Sequence, residues 1–180
     1  MSDAPRLEPG GLRELRPVIW GFSRIAGRAT GTEPPAIFTT LGRNRRLFWG
    51  WLHFAGKLMP GGRLPRRETE LIILRVATLT GSDYEFSHHA RLGKRAGIDS
   101  TELERVKQGP EAEGWSTRDR VLLSAVDELH RDRDLSDEGW TRLRSELDDR
   151  TAIEFLLLVG HYEMLATTLN TLRLRPDRPR

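Results

Sequence analysis

Residues 66–80 read Arg-Arg-Glu-Thr-Glu-Leu-Ile-Ile-Leu-Arg-Val-Ala-Thr-Leu-Thr, and residues 81–95 continue Gly-Ser-Asp-Tyr-Glu-Phe-Ser-His-His-Ala-Arg-Leu-Gly-Lys-Arg. In the first stretch Leu71, Ile72, Ile73, Leu74, Val76, Ala77 and Leu79 leave almost no polar face on a helix of 3.6 residues per turn. A helix that is apolar all round belongs in the middle of a fold. Glu70 and Arg75 lie on it, where a charge is costly unless paired. Gly81 stops this helix, and Ser82 or Asp83 can cap the next one, which runs to about Arg95 with Gly97 as its C-terminal stop.

Outward from this pair the apolar spacing stays helical, with no convincing alternating strand. Helices are expected over residues 12–28, 36–41 and 43–59, from Ser100 to near Gly109, over 118–131, from Ser136, and over 151–172. The expected buried stripes are Leu12, Leu15, Val18, Ile19, Phe22 and Ile25 in the first helix and Leu47, Phe48, Trp51, Leu52, Ala55 and Leu58 in the third. Trp140, Leu143 and Leu147 face inward in the eighth. In the last, Ile153, Leu156, Leu157, Gly160, Met164, Leu165, Thr168 and Leu172 are expected inside. Trp49 and Phe54 widen the third helix's stripe enough for a subunit contact. The fold class is therefore all-α, one domain over residues 1–180, with a core about 43–172 and frayed ends at 1–11 and 173–180.

Composition bounds the chemistry. The chain has 180 residues and no cysteine, which excludes disulfides, thiolate metal sites, a cysteine nucleophile and dithiol redox chemistry. Lys+Arg number 29 against 26 Asp+Glu, a net charge of +3, and the sequence pI is about 9.8. The basic residues sit among acids instead of forming a block, so nucleic acid is not an expected partner. The N-terminal residues lack the apolar segment of a secretory signal, and the run from Phe155 to Val159 is soon broken by His161 and Glu163. A cytoplasmic protein with no membrane partner is expected.

The densest group of reactive side chains is Ser82-Asp83-Tyr84-Glu85-Phe86-Ser87-His88-His89. On a helix Glu85 reaches His88 or His89, three and four residues on. A carboxylate beside an imidazole fixes its tautomer and suits it to proton transfer near neutral pH. Ordinary surface Glu/His pairs share this spacing. Glu85 and His88 also form one Glu-x-x-His unit, but the second unit that a di-iron site needs has only an Asp counterpart, Asp127 with His130, so no metal is expected. His161, on a greasy helix, reads as a hydrogen-bonded core histidine.

Glu70 ahead of an apolar helix, followed by Gly81-Ser82-Asp83-Tyr84-Glu85 and His89, resembles the core of the carboxymuconolactone decarboxylase superfamily, which includes the alkylhydroperoxidase D-like proteins. Its redox branch has a glutamate on the first helix, a C-x-x-C pair opening the second, and a histidine four residues after the second cysteine. Glu70 and His89 match the glutamate and the histidine, while Ser82 and Glu85 stand where the cysteines would be. Glu85-Phe-Ser-His-His89 fits instead the Glu-x-x-x-His of the decarboxylase branch. Residues 66–109 are similar to family members throughout, including Arg95-Ala96-Gly97-Ile98. The segment from His161 to Asn170 is similar to the C-terminal helix of a decarboxylase-like subgroup.

The resemblance implies an alkylhydroperoxidase D-like helical bundle that forms homo-oligomers, with a pocket near the Glu/His helix. It also implies a cofactor-independent lyase acting on a small organic acid or lactone. Decarboxylation needs an anion clamp, enolate stabilisation and a proton donor. His89 suits the donor, with Glu85 tuning it and Glu70 in the same network; Arg75 would grip the carboxylate, and Tyr84, Ser82 and His88 complete the substrate side. The alternative is a non-enzymatic homo-oligomeric or ligand-binding member.

Overall fold

The computed structural model describes residues 4–180. Among these the chain forms helices α1 (Leu12–Thr30), α2 (Ala36–Leu41), α3 (Arg45–Leu58), α4 (Arg66–Leu79), α5 (Asp83–Arg95), α6 (Ser100–Gln108), α7 (Thr117–Asp132), α8 (Asp137–Glu146) and α9 (Asp149–Leu172), and no strand. Residues 1–3, part of the start expected to fray, lie outside the described residues.

Helix α4 is the hub. Every residue from Thr69 to Ala77 is buried, and α5, α6, α7 and α9 all pack on it. The core joins Ile72, Ile73 and Val76 of α4 to Leu122 and Val126 of α7 and to Phe155, Leu158 and Tyr162 of α9. Behind α4, Leu71 and Leu74 close a second cluster with Ile98, Val106, Trp115 and Leu123. Gly81 makes the α4–α5 turn at φ 61°, a left-handed conformation that costs glycine little. Ser116, Ser136 and Asp148 cap α7, α8 and α9 by accepting the backbone N–H groups of Asp119, Gly139 and Thr151.

Four stripes differ from the sequence expectation, and in α3 the difference is Leu47, which is 67% exposed while Phe48 and Leu58 are buried. In α1 the buried positions are Leu15, Ile19, Ser23 and Gly27, while Leu12, Val18 and Ile25 are exposed. The helix is interrupted at Arg16 (φ 61°, ψ 162°), the residue before Pro17, and proline disfavours helical geometry just ahead of it; the apolar phase does not carry across that break. In α8, Leu143 and Leu147 are buried but Trp140 is 42% exposed, its ring under the Arg144 guanidinium. In α9 the inward side is Ala152, Phe155, Leu158, Val159, Tyr162, Leu165, Ala166 and Leu169. Of the expected inner side Leu165 is buried, whereas Ile153, Leu157 and Met164 are exposed by 59%, 47% and 52%. A helix with apolar residues on all sides gives periodicity nothing to choose between.

The chain ends are also better held than expected. Arg6 N–H donates to Leu172 O at 3.0 Å and Gly10 N–H to Thr39 O at 2.9 Å. After α9 the chain turns back along the α1–α2 connection, where Glu33 N–H donates to Arg178 O and Arg180 N–H to Gly31 O, both at 3.1 Å. Within 173–180, where fraying is expected, these backbone groups find partners in that connection.

Candidate active site

Helix α5 lies along α4 and presents Tyr84, Glu85, His88 and His89 to a cavity of about 260 Å³, also lined by Phe38 from α2, Trp51 from α3, and His161 and Tyr162 from α9. Both adjacent histidines of α5 reach this cavity, although neighbouring helical residues point about 100° apart.

His89 is buried, and its Nδ1 lies 2.7 Å from Glu70 Oε2 on α4. Glu70 is fully buried; its other oxygen is 2.6 Å from the Arg66 guanidinium, one helical turn earlier. The carboxylate therefore holds Nδ1 as the protonated nitrogen of a neutral His89 and leaves Nε2 as an acceptor. Burial lowers the His89 pKa, with Glu70 opposing that shift. The tuning carboxylate of His89 is Glu70 from the neighbouring helix, which corrects the expectation that Glu85 orients it.

Glu85 is 2% exposed, and neither carboxyl oxygen has a hydrogen-bond partner. Burial pushes its pKa up to about 8, opposed by the Ser82 hydroxyl beside it and reinforced by the charge of Glu163. At neutral pH it is a protonated carboxylic acid, a hydrogen-bond and proton donor in a largely apolar chamber. His161 is likewise neutral, pushed down to about 4 by burial, with Nδ1 unpartnered. Its ring stacks on Trp51 at 6.4 Å between centroids and meets Tyr162 edge-on at 5.3 Å. His89 meets Tyr162 edge-on at 5.1 Å. Burial raises the Tyr162 pKa, reinforced by Glu70 and Glu85, so it too stays uncharged.

Two proposed substrate contacts lie elsewhere. Arg75 donates from Nε and Nη2 to both oxygens of Asp127 on α7, at 2.6 and 2.7 Å, and from Nη1 to Val106 O at 2.8 Å. Five residues after Glu70 it points about 140° away around α4, so it binds α6 and α7 together and offers no clamp to the cavity. Ser82 is buried at the start of α5 without a partner for its hydroxyl and is not part of the cavity wall. Tyr84 and His88 do line it. Trp51, His161 and Tyr162 are the wall residues that sequence reasoning assigned to packing or left without a role; only the segment starting at His161-Tyr162 carried a signal for them.

The carboxylates that a di-iron reading would recruit are spread apart. Glu154 accepts the Arg63 and Leu64 N–H groups at 2.7–2.9 Å, Glu163 pairs with His130 at 2.6 Å and Arg133 at 3.0 Å, and Asp127 holds Arg75. No group of three or more His, Asp or Glu side chains with metal-binding geometry occurs among the described residues.

Residues 45–128 match the model of the carboxymuconolactone decarboxylase family. A search of curated proteins returned no match. The fold is shared with an uncharacterized peroxidase-related protein from Ralstonia eutropha JMP134, described as an alkylhydroperoxidase AhpD core, at TM-score 0.85 and 18% identity over 96% of this chain and 92% of that one. A peroxidase-related protein from Silicibacter sp. TM1040 gives 0.81 and 18% over 97% and 90%. The debrominase Bmp8, as a variant in complex with 2,3,4-tribromopyrrole, gives 0.80 and 15% over 94% and 90%. The chain is thus similar to the carboxymuconolactone decarboxylase family from α3 into α7 and shares the fold of the AhpD-like structures.

Proposed function

We propose that this protein is a cofactor-independent, cytoplasmic lyase of the carboxymuconolactone decarboxylase kind, acting by proton transfer on a small oxygenated ring, with a lactone as the substrate class. The reading is carried by one observation: a buried, protonated Glu85 shares a small cavity with a neutral His89 oriented by Glu70. His89 Nε2 would take a proton from the carbon beside the lactone carbonyl. The enolate so formed would expel the group on the next carbon, which takes the Glu85 proton as it leaves: a C–H and a carbon–leaving-group bond break, a C=C bond forms, and proton exchange with solvent resets His89 and Glu85. Environments that push two titratable groups apart in this way are how one site holds an acid and a base at the same pH.

With Arg75 engaged at Asp127, the cavity walls carry no arginine or lysine, so a neutral ring fits better than a free carboxylate. Bmp8 in complex with tribromopyrrole is a same-fold protein holding a compact planar ring. The test is solvent-deuterium exchange. Small unsubstituted and carboxylated lactones are incubated with the protein in deuterium oxide, and label beside the carbonyl is followed by NMR. Enzyme-dependent exchange that His89→Gln and Glu85→Gln abolish is the expected result. Exchange no faster than in buffer for every lactone would end this reading in favour of the non-enzymatic alternative.

We also propose that the chain self-associates through the outer faces of α3 and α9. Leu47, Phe54, Leu157 and Met164 line an apolar groove of about 860 Å³ there, and Trp49 and Ile153 extend the exposed apolar surface of the same helices. A surface of this kind on a globular protein marks an interaction site. Light scattering coupled to gel filtration reads the assembly directly.

A further inference from the structure

The proton-transfer step uses Glu70, Glu85 and His89 and gives no role to two other polar groups of the wall, Tyr84 and His88. Both are held by a residue outside the family segment. Asp177 lies on the chain's closing stretch, where Thr32 and Pro179 form a β-bridge, yet its carboxylate is only 2% exposed. It accepts the Ala36 N–H at 2.8 Å and the Tyr84 hydroxyl at 2.9 and 3.1 Å. Its Oδ2 lies 3.7 Å from His88 Nδ1, and that nitrogen has no hydrogen-bond partner. The Tyr84 hydroxyl in turn accepts the Ile37 N–H at 3.1 Å, and the Tyr84 and His88 rings lie within 4° of parallel.

A carboxylate this deep is retained only where donors compensate its lost hydration. Asp177 accepts from two hydrogen-bond donors, and the Nδ1 edge of His88 also faces it. Between the two neutral tautomers of an imidazole, a negative charge at the Nδ1 edge favours the one that carries its proton on Nδ1. The Nε2 lone pair is then left for a ligand, as Glu70 leaves that of His89.

We propose that Asp177 is a positioning residue of the cavity: by holding Tyr84 and fixing the tautomer of His88, it makes the closing segment a working part of the site. The inference rests on the cavity being the ligand site, and its first test needs no ligand. In full-length, ¹⁵N-labelled protein without ligand, side-chain nitrogen correlations report which nitrogen of neutral His88 carries the proton. The wild type should show mainly Nδ1–H. Asp177→Asn keeps an acceptor for Tyr84 but removes the charge, and should move the tautomer ratio about fivefold toward Nε2–H, leaving exposed His53 unchanged. Asp177→Ala should do the same and also release Tyr84.

The second readout is the deuterium-exchange rate on any lactone the wild type turns over, expected to fall several-fold in Asp177→Asn with thermal stability nearly preserved. A His88 tautomer identical in wild type and Asp177→Asn overturns the proposal, reducing the segment to a packing strap. Should Asp177→Ala fail to fold, Asp177→Asn still decides. A tautomer shift without lactone exchange in the wild type supports the positioning role while removing the lyase reading.

Discussion

Helices α4 and α9 look alike in the sequence, both long and both greasy, and the fold uses them in opposite ways. Helix α4 is surrounded, so each charge on it must find a partner: Glu70 takes His89 and Arg66, and Arg75 takes Asp127 and two carbonyls. Helix α9 gives one side to the core and leaves Ile153, Leu157 and Met164 open. It is long and apolar enough to satisfy a membrane-span criterion, yet half of its most apolar window is buried inside the fold. Charges on a buried helix are specific statements about neighbours; apolar residues on a helix state only that something covers them.

The sharpest way to break that comparison is through the two α4 charges. If Glu70 serves the site, His89→Gln and Glu70→Gln should each lower lactone exchange by about 10²–10⁴-fold, the range for losing a positioned proton carrier. Arg75→Ala should leave residual exchange in the folded fraction near normal but destabilise the protein by about 3–5 kcal/mol in urea titration, the cost of stranding a partner of a buried ion pair. Activity loss in Arg75→Ala without destabilisation would return Arg75 to the site.

The pH response separates Glu85 from the rest. Its folded pKa of about 8 lies above the ordinary 4.5, so the folded state binds more protons than the unfolded chain across that window. Stability from this group is therefore full at low pH and is lost as pH rises from about 4.5 to about 8, an effect of up to a few kcal/mol. His161 works the other way: with its pKa pushed down from 6.5 to about 4, its contribution is full above 6.5 and is lost as pH falls toward 4. Glu85→Gln should thus flatten the alkaline fall in melting temperature, and His161→Gln the acid one. Lactone exchange should decline above about pH 8 as the Glu85 donor ionises. A profile still rising through pH 9 would count against Glu85 as the acid.

For α9 the corresponding break is electrostatic. Leu157→Glu and Met164→Glu place charges on the open face and should convert an assembly to monomers in light scattering, with monomer stability changed by no more than about 0.5 kcal/mol, as for surface substitutions. Monomers in the wild type would leave that face to another occupant.

How legible each part was follows from the same contrast. The central helix, the α4–α5 turn and the Glu70, Glu85 and His89 group were readable because buried charges and a helix-stopping glycine such as Gly81 occur at few positions, although Ser82 does not cap α5 with its side chain. The partner of His89 was not: helical spacing finds neighbours within α5, and Glu70 arrives from another helix. Arg75 was misplaced because spacing along α4 does not say which of its neighbours lies on which side. The inward side of α9 was hidden by apolar residues all round. Asp177 had no signal, since two prolines and three arginines after Arg173 read as a solvated tail, while its pairing with Tyr84 joins residues 93 apart in the chain.

The smallest effect tests the open face most gently. Gly160 sits within α9 with nothing within 4 Å of where a Cβ would stand, and it lines the groove shared with α3. Glycine inside a helix costs roughly 0.5–1 kcal/mol relative to alanine, because the unfolded chain has more freedom to lose. Gly160→Ala should therefore raise the monomer's unfolding free energy by about that amount. If a second copy packs closely on this face, the added methyl meets it, and the same substitution weakens assembly while stabilising the isolated chain. Measuring melting temperature at low and high protein concentration separates the two: a gain independent of concentration means open space at Gly160, and a gain confined to dilute protein means a partner helix seated against it.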